Sequence, residues 1–509
     1  MSTVAPLVIV ALMAGAGVGL RAAEPAPPAA EPSGDARLAE YFRRETVALR
    51  DACLDGIDSL PDWESRRGEY RRQLLEMLGL DPLPAKTALQ AKVTGTVAHD
   101  EFTVENLHFQ SLPGLYVTGN LYLPKGLKQP APAILYVCGH APAKQDGVSY
   151  GNKTKYRHHG EWFARHGYVC LTIDTLQFGE IEGIHHGTHH LGRWWWLSRG
   201  YTPAGVEAWN SIRAIDYLQS RPEVDGDTIG MTGRSGGGAY SWWAAAIDDR
   251  VKAAVPVAGI TDLENHVVDN CVKNHCDCMF VVNTYRWDYP LVAALVAPRP
   301  LLITNTDSDS IFPLDGVVRT YEKAKRIYDL YGAGDKIGLT IAPGGHSDTQ
   351  DLQVPALRWF DRHLRGENRV IEKAAVPLLP MEQLRVFAEL PADQINTRID
   401  ELFVPAADPA MAPPADAAAW TTQRDAWLAA LRAKTFSGWP TADEPLHVAE
   451  AWSVDRDGVT LRAYDFTSQS PFRLRLYVAS RTGLAKPERV MLDVLDQQDW
   501  TEEQTEAET

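Results

Sequence analysis

Hydrophobic spacing changes character twice along this chain. From about Ala36 to Leu80 apolar residues recur at helical intervals, with Trp63, Tyr70, Leu74, Leu75 and Leu78 on one face and Gly79 as a stop. Phe102–Phe109 and Leu115–Leu123 then alternate apolar with polar, which predicts two antiparallel strands. At Ala133 the pattern shifts: AILYV is a short continuous apolar run, as expected of a strand covered on both faces. A helix (Gly160 to His166), VCLTI (169–173), a long loop, a helix (about 204–220) and IGMT (229–232) follow. Next come a helix from Gly236, AAVPV (253–257), LLIT (301–304), a helix (about 315–331), IGLTI (337–341) and a helix ending near Leu364. Such alternation predicts the α/β class, with a doubly wound, mostly parallel sheet whose site lies beyond the carboxyl ends of its strands.

Past Glu367 the chain loosens into PAADPAMAPPADAAA (405–419), a linker by composition. The stretch at 459–495 then echoes 102–138 at a constant offset of 357. Thr103/Thr460, Phe109/Phe466, Ser111/Ser468, Leu127/Leu484, Pro130/Pro487, Leu135/Leu492 and Val137/Val494 all match. A Trp- and Leu-rich helical stretch, Trp420–Phe436, precedes the second copy as one precedes the first. The expected organisation is a leader and tether (1–34), a helical extension (35–100), a main α/β domain (101–368), a linker (369–420) and a partial second repeat without catalytic residues (421–509). That repeat should run hairpin first, then one buried strand, over 455–495.

Charge and composition narrow the function classes. The 509 residues carry a net charge of −16 and no Lys/Arg-rich block, so a phosphate backbone is repelled and nucleic acid is excluded as a partner. Val4–Leu20 is an apolar run followed by Arg21-Ala22-Ala23-Glu24, which reads as an export signal, with a secreted or periplasmic product and no lasting membrane insertion. Of six cysteines, Cys53, Cys138 and Cys170 are isolated, while Cys271, Cys276 and Cys278 crowd into NCVKNHCDC. Export favours a small-loop disulfide between two of these three, or free thiols, over a zinc site using His275, because metal motifs usually carry paired CxxC-type spacing. No metal or other cofactor is expected, and the sequence is silent on oligomeric state.

The chemistry concentrates in TIGMTGRSGGGAYSWW, residues 228–243. A strand feeds Gly233-Arg234-Ser235-Gly236-Gly237 and a helix follows at once, the context required of a G-x-S-x-G nucleophile elbow. A serine hydroxyl needs a base, and IGLTIAPGGHSD places His346 just after the last strand. The acid should follow the preceding strand. LLITNTDSDSIFP offers Asp309, four residues before Pro313, with Asp307 as a rival, and Asp262 and Glu264 stand after AAVPVAGI as further rivals. Backbone NH groups of Gly236 and of His140, in the loop after AILYV, are the expected oxyanion donors.

These residues carry a resemblance. Over about Ala36 to Leu364, GRSGGG, IDTLQFGEIEG (173–183), HCDCMFVVNTYRWDYP (275–290), APRPLLI (297–303) and PGGHSD (343–348) resemble the acetylxylan-esterase-like branch of the α/β-hydrolases, common among secreted bacterial carbohydrate esterases. The resemblance implies the α/β-hydrolase fold, the Ser–Asp–His set and an ester-bearing small molecule or oligosaccharide as substrate. One departure is Cys138-Gly139 where His-Gly is expected. HHGTHHLGRWWW (185–196) lies on a loop above the expected site, where Trp194, Trp195 and Trp196 either face sugar rings or pack the loop itself. Two other readings stand beside the esterase: a serine peptidase of the prolyl-oligopeptidase type, and a non-catalytic carbohydrate-binding relic.

Overall fold

The computed structural model describes residues 34–279, 281–406, 412–440 and 444–494. The expected export segment and the acidic C-terminal tail lie outside the described residues. Among those residues no helix is long and apolar enough to cross a membrane.

The helical stretch at the start is two helices, Gly34–Ala52 and Leu60–Met77. The chain turns between them through Gly56 at positive φ, and the Ser59 side chain caps the second helix by accepting the Asp62 NH. Trp63, Leu74 and Met77 then bury into the main core. Three antiparallel strands follow: β1 (Lys92–Ala98), β2 (Phe102–Leu112) and β3 (Leu115–Pro124). β1 is a polar edge strand, mostly exposed, and so has no hydrophobic alternation to announce it.

β4 (Ala131–Val137) enters the interior, and a short hairpin of β5 (Lys144–Gln145) and β6 (Val148–Ser149) leaves it. The remaining core strands are β7 (Val169–Ile173), β8 (Val224–Arg234), β9 (Val251–Val257), β10 (Leu301–Thr306) and β11 (Ile337–Ala342). Nine of these strands form one sheet in the order β1-β2-β3-β7-β4-β8-β9-β10-β11. From β7 to β11 every neighbouring pair is parallel, and β3 meets β7 antiparallel. This is the α/β-hydrolase fold. Helices Arg157–Arg165 and Gln350–Phe360 cover one face, and Pro203–Gln219, Gly236–Ile247, Pro290–Val296 and Leu314–Leu330 cover the other. Apolar runs such as AILYV and VCLTI are buried throughout, each large side chain contributing roughly 1.5–3 kcal/mol.

Register decides where the loops emerge. Val137 pairs with Ile173 and Gly233, and Thr306 pairs with Ala342, so these parallel strands end level. The loops carrying His140, Ser235, Asp309 and His346 therefore leave the same edge of the sheet.

Residues 369–406, expected as linker, instead pack on the domain. Leu379, Leu384, Val386, Phe387, Ile399 and Phe403 are buried there. Buried carboxylates fasten the segment: Glu161 accepts the NH groups of Leu378 and Leu379, and Glu180 accepts those of Val386 and Phe387. Glu180 also pairs with the fully buried Lys153, 2.6 Å away, which binds Asp174 at 2.8 Å. Two charged positions of the IDTLQFGEIEG segment thus have an architectural task.

The second copy reproduces the first closely. Helix Ala417–Ala430 begins 357 residues beyond the start of Leu60–Met77. Strands β12 (Ala449–Arg456), β13 (Val459–Gln469) and β14 (Phe472–Arg481) form a meander at the same offset from β1–β3. Even the register irregularities repeat, Val93/Gly95 as Glu450/Trp452 and Gln110/Leu112 as Thr467/Gln469. The expected buried strand does not follow: 488–494, the counterpart of β4, is non-strand and exposed. In the first copy β4 is held between β7 and β8, and the second copy has no such neighbours among the described residues. The copy touches the body through Tyr41 against Phe472, the Arg44 guanidinium on the Ser470 carbonyl and the Lys434 ammonium on Glu76.

Candidate active site

β8 runs straight into Ser235, which adopts φ 59° and ψ −122°, outside the regions favoured by ordinary residues. A Cβ on either Gly233 or Gly237 would collide with the Val137 carbonyl oxygen, so no larger residue fits beside β4. The turn is held by the Ser235 NH donating to the Val257 carbonyl at 2.9 Å, and helix Gly236–Ile247 starts immediately behind it. Ser235 is itself the N-cap of that helix.

His346 reaches Ser235 from the loop after β11, its Nε2 3.0 Å from Ser235 Oγ. Its Nδ1 lies 2.7 Å from Asp309 Oδ2, and the other Asp309 oxygen accepts the NH groups of Ile311 and Phe312 at 2.8 and 3.1 Å. Burial pushes the Asp309 carboxyl upward, but the His346 contact and these two NH groups outweigh it and hold its pKa below the ordinary value. Ser235, His346 and Asp309 are thus brought into one hydrogen-bonded row.

The rival acids are engaged elsewhere. Asp307 is exposed and accepts the Gly344 NH at 2.9 Å. Asp262 caps helix Leu263–Val267 and pairs with Arg319, and Glu264 pairs with Arg50. Two residues past His346, Asp348 accepts from His159 at 2.7 Å and His158 at 3.2 Å. Burial opposes the charge, yet the two histidines hold the Asp348 carboxyl well below the usual range. This anchor on the His346 loop was not singled out from sequence, although Asp348 closes the PGGHSD motif.

The loop after β4 does approach the elbow. A Cβ on Gly139 would crowd Arg234 and Ser235, and the His140 imidazole lies directly against Gly236. Its place after AILYV predicts only a backbone role for His140. Its side chain also meets Tyr240 Oη at 3.1 Å and the sulfurs of Cys276 and Cys278 at 3.5 and 3.3 Å. Burial, with His185 and His186 nearby, pulls the His140 pKa down to about 3. Cys276 and Cys278 are disulfide-bonded, and Cys271 is free and buried.

From His140 a file of rings leads outward through Phe178, His185, His186 and His190. The tryptophans beyond divide. Trp194 and Trp195 are 57% and 40% exposed. Trp196 takes the second of the two expected alternatives and packs the loop instead of facing outward. It is buried against Tyr201, and its indole NH donates to Asp400 at 3.0 Å. The Asp400 partner lies in the packed segment 369–406, so sequence proximity could not reveal the inward turn.

Comparison with known proteins agrees with this architecture. The family model described as X-Pro dipeptidyl-peptidase (S15 family) matches residues 114–289. A Bacillus subtilis (strain 168) protein named "Putative hydrolase YtaP" is 27% identical over 308 residues, which cover 58% of this chain and 100% of that protein. A 4-O-methyl-glucuronoyl methylesterase of Neurospora crassa is 23% identical over 324 residues, covering 58% of this chain and 74% of that one. Among solved structures, Methylesterase BT1017 superimposes with a TM-score of 0.56 at 22% identity, over 76% of this chain and 81% of its own.

Proposed function

We propose that this chain, an α/β-hydrolase by fold, is an exported serine carboxylic-ester hydrolase that removes ester groups from plant polysaccharide fragments. The reading rests above all on the row from Ser235 Oγ through His346 to Asp309, built at a glycine-lined elbow. His346 Nε2 takes the Ser235 proton as Oγ attacks the ester carbonyl carbon, and Asp309 stabilises the resulting imidazolium. The tetrahedral oxyanion is received by the backbone NH groups of Gly236 and His140. His346 then protonates the departing alcohol, and a water deprotonated by the same ring releases the acid and restores Ser235. Every step uses side chains and backbone of this chain.

The substrate class draws support from the methylesterase names of two similar proteins and from the exposed Trp194 and Trp195, whose rings suit the apolar faces of sugars. The family match to X-Pro dipeptidyl-peptidases favours a second reading, cleavage of proline peptides by the same row. Initial rates on p-nitrophenyl acetate, a methyl glucuronate ester and an X-Pro p-nitroanilide separate the two. Ester turnover that vanishes in Ser235→Ala is expected. Peptide turnover exceeding both esters, or ester turnover that survives in Ser235→Ala, would overturn the proposal.

A further inference from the structure

A second set of reactive side chains lies behind the acid loop. His266 sits in helix Leu263–Val267, Cys271 opens the turn Cys271–Asn274, and His275 follows that turn. They are 5%, 4% and 3% exposed. One donor atom from each falls within 4.8 Å of the others. The Cys271 thiol is free.

His275 is oriented in a way that a hydrogen-bonded core histidine does not need. Its Nε2 lies 2.7 Å from the Ile311 carbonyl oxygen and so carries the proton, leaving Nδ1 as the lone-pair atom. That Nδ1 is buried and meets no hydrogen-bond partner among the described residues. An unpaired buried nitrogen costs roughly 1–3 kcal/mol, which a ligand would relieve. A ring that donates one NH to a backbone carbonyl and leaves its other nitrogen unpaired has the pose of a metal-binding histidine.

The spacing fits a tetrahedral ion. With zinc–nitrogen bonds of about 2.0–2.1 Å and a zinc–sulfur bond of about 2.3 Å, donors stand roughly 3.3–3.6 Å apart. Drawing the three donors together takes side-chain movements of about an ångström or less. Two imidazoles and one thiolate select a borderline-soft cation over calcium or magnesium.

We propose that His266, Cys271 and His275 bind one zinc-class divalent cation, with water in the fourth position. On binding, the Cys271 S–H bond breaks, the sulfur–metal bond forms and the proton leaves to solvent. The ion acts as a brace. It fixes His275, His275 fixes the Ile311 carbonyl, and the NH of that same residue holds Asp309 at 2.8 Å.

Full-length protein loaded with Zn²⁺ or Co²⁺ and passed through a desalting column provides the test. About one equivalent of zinc should be retained, and the cobalt form should show a near-ultraviolet thiolate-to-cobalt charge-transfer band. Cys271→Ser should lose that band, while a Cys276→Ser/Cys278→Ser variant, whose sulfurs lie beside His140, should keep it. Zinc should also raise the unfolding temperature of the unmutated protein, and a chelator should reverse the rise, a readout independent of how Cys271→Ser folds. Failure to retain zinc after desalting would overturn the proposal. So would an undiminished band in folded Cys271→Ser, or loss of the band only in the Cys276/Cys278 variant.

Discussion

Replacing Asp309 by Asn probes the proposed mechanism at its least redundant point. The two Asp309 oxygens have separate tasks. One accepts the NH groups of Ile311 and Phe312, and the other faces His346 Nδ1 at 2.7 Å. The Asn carbonyl keeps the first task, so the loop should stay folded and the melting temperature close to that of the parent. Its NH₂ group then points at Nδ1 and drives the ring proton to Nε2. There the proton faces Ser235 Oγ, 3.0 Å away, and the ring can no longer accept from the serine. Loss of the basic tautomer costs up to about 10⁴ in kcat, equivalent to roughly 5 kcal/mol of transition-state stabilisation. Steady-state kinetics on p-nitrophenyl acetate should show kcat falling by orders of magnitude, KM changing little and residual activity rising with pH. A folded Asp309→Asn enzyme within tenfold of the parent would refute the assignment. No neighbouring carboxylate replaces it, because Asp307, Asp262 and Glu264 are held by other partners.

Three further outcomes follow from burial and contact. Burial raises the Glu207 pKa to about 8 from an ordinary 4.5, so its neutral form contributes stability that is full below about pH 4.5 and lost as pH rises through about 8. Melting temperatures across that window should fall less steeply for Glu207→Gln, and parallel slopes would contradict the buried-acid argument. Trp196→Ala should destabilise the fold by about 3–5 kcal/mol in a denaturant titration, whereas Trp194→Ala should leave stability unchanged and raise KM for an oligosaccharide ester. Truncation after Ala406 retains the buried segment ending in Phe403 and removes the rest of the expected linker with the second copy, so ester hydrolysis and cooperative melting should both persist.

What the sequence reveals depends on whether the deciding forces are local. β4 and β7 are covered on both faces, and their continuous apolar runs say so directly. The elbow is equally legible, since Gly233 and Gly237 are the only residue type that fits against the Val137 carbonyl. By contrast, residues 369–406 read as linker because their anchors are backbone NH groups bound to Glu161 and Glu180, about two hundred residues earlier. Trp196 and its exposed neighbours have the same local character, and only Tyr201 and Asp400 distinguish it. Residues 488–494 make the point in reverse. They match β4 at Leu135 and Val137, yet without flanking strands they form no strand. The side-chain position of His140 and the Asp348 anchor are products of packing that no spacing rule encodes.

Of the three members of the Ser–His–Asp row, only His346 rides on a strand at the margin of the sheet. Among the described residues β11 pairs with β10 alone, and its middle residues are only partly buried. Margins of this kind open at lower free-energy cost than the centre of a sheet, and they do so without global melting. Detachment of β11 would carry His346 away while leaving Ser235 fixed on β8. Warming should therefore silence the molecule reversibly before it unfolds, with the loss of turnover preceding the calorimetric transition. Amide hydrogen exchange should report faster opening at Gly338–Ile341 than at Gly230–Gly233. Such a molecule would have two thermal limits, one set by its margin and the other by its core.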